Sequence, residues 1–199
     1  MWPFVSKKKI VEKVERPYHI SLKESTKEKK IEKLADKLTE VLSNTQKEVI
    51  FLGVGSDRST GDSFGPMVGS MLKKKEIPFP IYGTIEEPVH ALNLKKILQE
   101  ITLQHNGPFI VGIDACLGDE SQIGLIILNE GSFIPGNALN KRLPSVGDFH
   151  MKAIVNYLDP ISPVQSLSST RLHTVIKLAE IMTKIITQSI LTKKTPNKV

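Results

Sequence analysis

The sequence predicts a three-layer α/β/α sandwich built on a mostly parallel sheet. Three observations lead there. From Glu48 onward, short β-rich apolar runs alternate with stretches whose apolar residues recur at helical spacing, the order expected of βαβ crossovers. The first run empties into a glycine-rich loop that opens a helix. The length of 199 residues, with 40% hydrophobic and 24% charged side chains, suits one domain with a buried core.

Residues 1–24 show no sustained period and mix Lys, Glu and Pro17, so they read as a basic arm, lying on the surface or partly disordered, ahead of a single α/β domain over 25–199. Ser25-Thr26-Lys27-Glu28 has the form of a capping box, and Ile31, Leu34, Ala35, Leu38, Val41 and Leu42 then form one apolar stripe. Residues 49–52 are a buried strand and 66–75 a helix, with Pro66 tolerated in the first turn. A short strand over 79–82, a helix over 91–103 and a long apolar strand over 109–116 follow. After the turn Leu117-Gly118-Asp119-Glu120 comes a strand over 123–128, then the polar stretch "PGNALNKRLPSVGDFH". A short helix over 151–158 and a long amphipathic helix over 170–191 complete the chain, the latter closing the core through Val175, Ala179, Met182, Ile185 and Ile186.

Composition narrows the function. The net charge of +6 and the pI near 9.3 come largely from lysines near the two ends. Aromatic residues do not interleave with these lysines, so no stacking platform for nucleic acid is expected. Cys116 is the single cysteine, which rules out an internal disulfide framework and a multi-cysteine zinc site. No apolar run approaches the roughly 20 residues that span a bilayer. The expectation is a cytoplasmic protein without membrane contact, acting on a protein or peptide; self-association is left open.

The loop "GVGSDRSTGDSFGP" over 53–66 carries the chemistry. A dinucleotide fingerprint fails because Arg58 stands where the third glycine should be. A P-loop fails because Gly61 is one position late and Asp62 follows it, whose charge would repel a phosphate. Ser63 in Gly61-Asp62-Ser63 resembles a lipase nucleophile, yet Asp148-Phe149-His150 has the wrong spacing to complete that triad. A carboxylate pair remains. In an open parallel sheet the active crevice lies beyond the carboxyl ends of the strands, and Asp62 follows the first strand while Asp114 lies near the end of the third. If those strands are neighbours, the two acids converge, one neutral and one ionised, as an acid and base acting on water. The helix after the loop would favour charge on Asp62. The competing reading makes Asp62 a cap of the helix and Asp114 a cap of a turn. Of the other polar residues, Asp57 and Arg58 could pair across the loop or hold a substrate carboxylate, and His90 could orient a group in the crevice or cap a helix. Cys116 reads as a small buried residue, and Arg171 and His173 as capping or packing groups.

Four stretches, "GVGSDRSTGDSFGP", "VGIDACLG", "PGNALNKRLPSVGDFHMKAIVN" and "STRLHTVIKLAE", resemble the YyaC family of sporulation proteins over about residues 48–186. That family is similar to the spore germination protease and, more distantly, to hydrogenase maturation endopeptidases, whose fold the resemblance implies. The resemblance also implies that Asp62 and Asp114 are the catalytic acids of a peptidase, with small acid-soluble spore proteins as substrates in a sporulating cell or spore. In the maturation enzymes the matching positions bind a metal with a downstream histidine. Asp148 and His150 of "SVGDFH" could be the third group, so a divalent ion on Asp62, Asp114 and His150 is an alternative, although the sequence requires no cofactor. A non-catalytic relative that keeps the fold to bind a protein is the remaining alternative.

Overall fold

The computed structural model describes residues 18–24, 28–136 and 143–193. Its centre is a six-stranded sheet of β1 (His19–Ser21), β2 (Val49–Gly53), β3 (Ile81–Tyr82), β4 (Phe109–Gly118), β5 (Leu125–Glu130) and β6 (Phe149–Tyr157), in the spatial order β1-β5-β6-β4-β2-β3. The pairs β3/β2, β2/β4 and β4/β6 are parallel, and β6/β5 and β5/β1 are antiparallel. The sheet is mostly parallel, as expected.

Side chains alternate along β2 and so separate the two faces. Val49 and Phe51 join the core under α1 (Glu28–Asn44), α2 (Phe64–Lys74) and α5 (Leu172–Lys193), whereas Ile50 and Leu52 meet α3 (Leu94–His105), Phe133 and Val146 on the other side. This is the three-layer arrangement. A short helix, α4 (Pro163–Ser168), packs near the carboxyl ends of β4 and β6. Among the described residues no helix is long and apolar enough to cross a membrane.

Two expectations need correction. The helix expected over 151–158 is β6, a central strand paired to β4 and β5. Both faces of β6 are covered, so Phe149, His150, Met151, Ala153, Ile154 and Val155 are all buried and the period of two that marks a half-exposed strand is absent. The arm expected over 1–24 is described from residue 18, and there His19–Ser21 form an edge strand with Ile20 buried opposite Ile126. Residues 1–17 lie outside the described residues, as do Ser25, Thr26 and Lys27 of the expected capping box.

Candidate functional site

The strand-to-helix connection between β2 and α2 is folded tightly over the end of the sheet. The Val54 amide donates to the Ile113 carbonyl at 2.7 Å, and the Gly55 amide to the Val89 carbonyl at 2.8 Å, stitching the loop after β2 to β4 and to the loop after β3. The chain then turns back, so that the Ser56 amide donates to the Asp62 carbonyl at 3.1 Å. Gly55 has φ +143°, and a Cβ there would stand 1.9 Å from the Asp62 carbonyl oxygen. Only glycine fits both conditions. The first turn of α2 is equally close, since a Cβ on Gly65 would lie 2.3 Å from the Val54 carbonyl oxygen. Glycine spacing here serves backbone approach.

These contacts bring Asp62 and Asp114 together. Gly53, the last residue of β2, pairs with Ile113, so Asp114 is the first β4 residue beyond the end of β2. The expected neighbourhood of these strands is present. Asp62 is half-buried, two residues ahead of α2, while Asp114 is 6% exposed. Both line a cavity of about 180 Å³ shared with Arg58 and His90, and both line an adjoining one of about 350 Å³ shared with Cys116, Ile134 and Lys152. The acids stand on the boundary of a two-lobed crevice at the carboxyl ends of parallel strands. Burial pushes the Asp114 carboxyl up to about 8; the Lys152 ammonium and the Ala115 amide pull against that shift, and the Asp62 charge reinforces it.

Other residues named from sequence fall on both sides of the argument. Arg58 is exposed and, among the described residues, in no ion pair. His90 lines the smaller lobe and also helps start α3: its amide donates to Asn93 Oδ1 at 2.8 Å, and its Nδ1 accepts from the Leu92 amide at 3.3 Å. Leu92, inside the helix expected over 91–103, precedes α3 and is 87% exposed at the lip of the same lobe. Asp57 is exposed and lines neither lobe. Ser63 spends its hydroxyl within the loop, donating to the Thr60 carbonyl at 2.7 Å, which weakens the nucleophile reading. Arg171 and His173 are exposed at the start of α5.

Asp148 and His150 do not join the acids. Asp148 precedes β6, accepts from the Ile110 amide at 2.9 Å, and lines a different cavity of about 690 Å³ beside Lys47 and Phe109, at the other end of the parallel strands. His150 is buried with Nδ1–H donating to the Gly131 carbonyl at 2.8 Å, since a carbonyl can only accept. Burial holds its pKa below the ordinary value; the Gly131 contact opposes the shift and the Lys152 charge adds to it. It pairs with Gly112, two residues before Asp114, and its ring packs against Phe133. Among the described residues no three His, Cys, Asp or Glu side chains are arranged to hold a metal, so the set of Asp62, Asp114 and His150 is not assembled. Lys152 is the residue that sequence reasoning missed. Its signal was the same as that of Asp114, a charge inside an apolar strand, and it was hidden by reading 151–158 as a helix.

Comparison with known proteins places the chain. Residues 22–185 match the family described as "Protein of unknown function (DUF1256)". The chain belongs to the DUF1256 family. All the site residues above lie within that match. A relative in Bacillus subtilis (strain 168), "Uncharacterized protein YyaC", is 39% identical over 137 residues, which are 68% of this chain and 66%, just under two thirds, of the relative. The resemblance to YyaC seen in the sequence motifs is therefore real. A crystal structure of the NiFe hydrogenase maturation protease HycI from Thermococcus kodakarensis KOD1 is similar with a TM-score of 0.47 and 18% identity, over 76% of this chain and 99% of that one. Chemistry does not transfer at that distance.

Proposed function

We propose that this DUF1256 protein is an endopeptidase in which Asp62 and Asp114 act as a base and acid pair on water. The observation that carries the reading is the convergence of two carboxyl groups on one crevice, with Asp114 held neutral into the mildly alkaline range. Two acids in such unequal surroundings divide the roles between them. Asp62, near the positive end of α2, carries the charge.

The Asp62 carboxylate takes a proton from water as the water oxygen bonds to the peptide carbonyl carbon. Asp114 gives its proton to the carbonyl oxygen, leaving a neutral tetrahedral diol. Asp62 then returns its proton to the amide nitrogen, the C–N bond breaks, and one hydroxyl of the diol restores the proton to Asp114. Both acids end as they began, with one water consumed. Positioned acid–base catalysis of this kind contributes about 100- to 10,000-fold.

The sporulation setting and the spore-protein substrates implied by the sequence motifs make small acid-soluble spore proteins the first substrates to test, followed by a mixed-sequence peptide pool. Asp62→Asn and Asp114→Asn are each expected to lower kcat by at least about 100-fold, read by mass spectrometry of the products. The alkaline fall of kcat/KM should lie near pH 8, where Asp114 loses its proton. Turnover that survives either change would sink the pair, and turnover lost on chelation would replace it with a metal-assisted reaction.

A further inference from the structure

The crevice contains a cation that the acid pair does not use. Lys152 lies in the middle of β6, in direct register with Asp114 on β4, and lines the larger lobe with both aspartates. Its chain neighbours Met151 and Ala153 are fully buried, so its stem rises from the core. A lysine so placed is costly to desolvate and is ordinarily met by a carboxylate. Among the described residues, none comes within ion-pair distance.

What holds the ammonium is an aromatic face. Lys152 Nζ lies 4.7 Å from the centroid of Phe133. That ring occupies the space of a missing side chain, for a Cβ on Gly112 would meet Phe133 Cε1 at 2.4 Å. Phe133 is itself 5% exposed and packs on the His150 ring at 5.3 Å, so the platform is fixed by the core. A cation–π contact uses the charge of an ammonium without committing its three N–H donors to fixed acceptors. Those donors remain for a ligand in the lobe.

We propose that Lys152 binds the carbonyl oxygen of the bond to be cleaved and meets the negative charge that builds there during attack. This rests on the acid-pair reading. A carbonyl oxygen has two lone pairs, so one receives the Asp114 proton and the other a hydrogen bond from Lys152. The competing groups are placed differently. Arg58 and His90 face the smaller lobe, His150 is turned to the Gly131 carbonyl, and Cys116 carries no cation. Among the described residues, Lys152 alone combines positive charge, register with Asp114 and a fixed platform. A preorganised donor aimed at developing charge in a partly dry site is worth more than the same donor in water.

Lys152→Met is expected to lower kcat by about 100- to 1,000-fold with KM changed by less than about threefold, and Lys152→Arg to recover part of the loss. Phe133→Leu, which removes the aromatic face and keeps an apolar side chain, should fall between. Binding gives a readout without turnover. A mixed-sequence pool of phosphinate pseudopeptides puts a negatively charged oxygen where charge builds on the carbonyl oxygen during attack, ahead of the neutral diol, and the matching amide pool does not. Wild-type protein should hold the phosphinate pool more tightly than the amide pool, while Lys152→Met should hold both alike. An unchanged kcat in Lys152→Met, or the same phosphinate preference in both proteins, would overturn the assignment. Failure of the acid pair shows up separately, as turnover surviving in Asp62→Asn or Asp114→Asn.

Discussion

A carboxyl group buried against a second carboxylate resists ionisation, and that resistance is a statement about stability. Asp114 titrates near 8 when folded and near the ordinary carboxylate value of about 4 when unfolded. Between those values the folded protein holds a proton that the unfolded chain has released. The contribution of Asp114 is therefore fully present below about pH 4 and is lost as pH rises through about 8. Asp114→Asn removes this dependence. Thermal melts from pH 5 to 9 should show wild-type Tm falling relative to the variant, with the variant the more stable at pH 9; parallel curves would refute the buried, proton-holding Asp114. The charge inside an apolar run made Asp114 legible in the sequence. Its partner Lys152 was equally anomalous, but a charge counts as anomalous only once its segment is known to be buried.

At the scale of elements, the β2-loop-α2 unit and β6 show why one was readable and the other was not. The loop announces itself through Gly53, Gly55, Gly61 and Gly65, and the structure uses Gly55 where the backbone passes the Asp62 carbonyl with positive φ. Gly55→Ala should cost at least about 1–3 kcal/mol from the backbone conformation alone, before the clash with the Asp62 carbonyl is relieved. Chemical denaturation should report that loss, and peptide turnover should fall as Asp62 shifts. A variant with wild-type stability and turnover would mean that the loop tolerates another path. By contrast, Met151, Lys152 and Ala153 are favourable helix residues, and β6 exists because both of its edges are paired. Pairing partners lie far along the chain and leave no mark on local period.

For the whole molecule, α5 covers α1 and α2 on the face of the sheet away from α3, with Val175, Ala179, Met182, Ile185 and Ile186 inaccessible to solvent. Ile185→Ala should cost about 2–5 kcal/mol in chemical denaturation and lower Tm, since the cavity left can collapse only in part. The pH dependence assigned to Asp114 should persist in that variant. A loss below about 1 kcal/mol would show that α5 is not integral to the core. By itself the sequence determined the layer architecture and the succession of the early strands and helices along the chain, and it singled out the two aspartates, because hydrophobic period, glycine clusters and buried charges are written locally. Only the tertiary structure decided that β6 is a strand, that Lys152 faces Asp114 over a Phe133 platform, and that Asp148 and His150 stand apart. Each depends on which strand pairs with which, and that is settled by burial of the assembled sheet rather than by any stretch of residues alone.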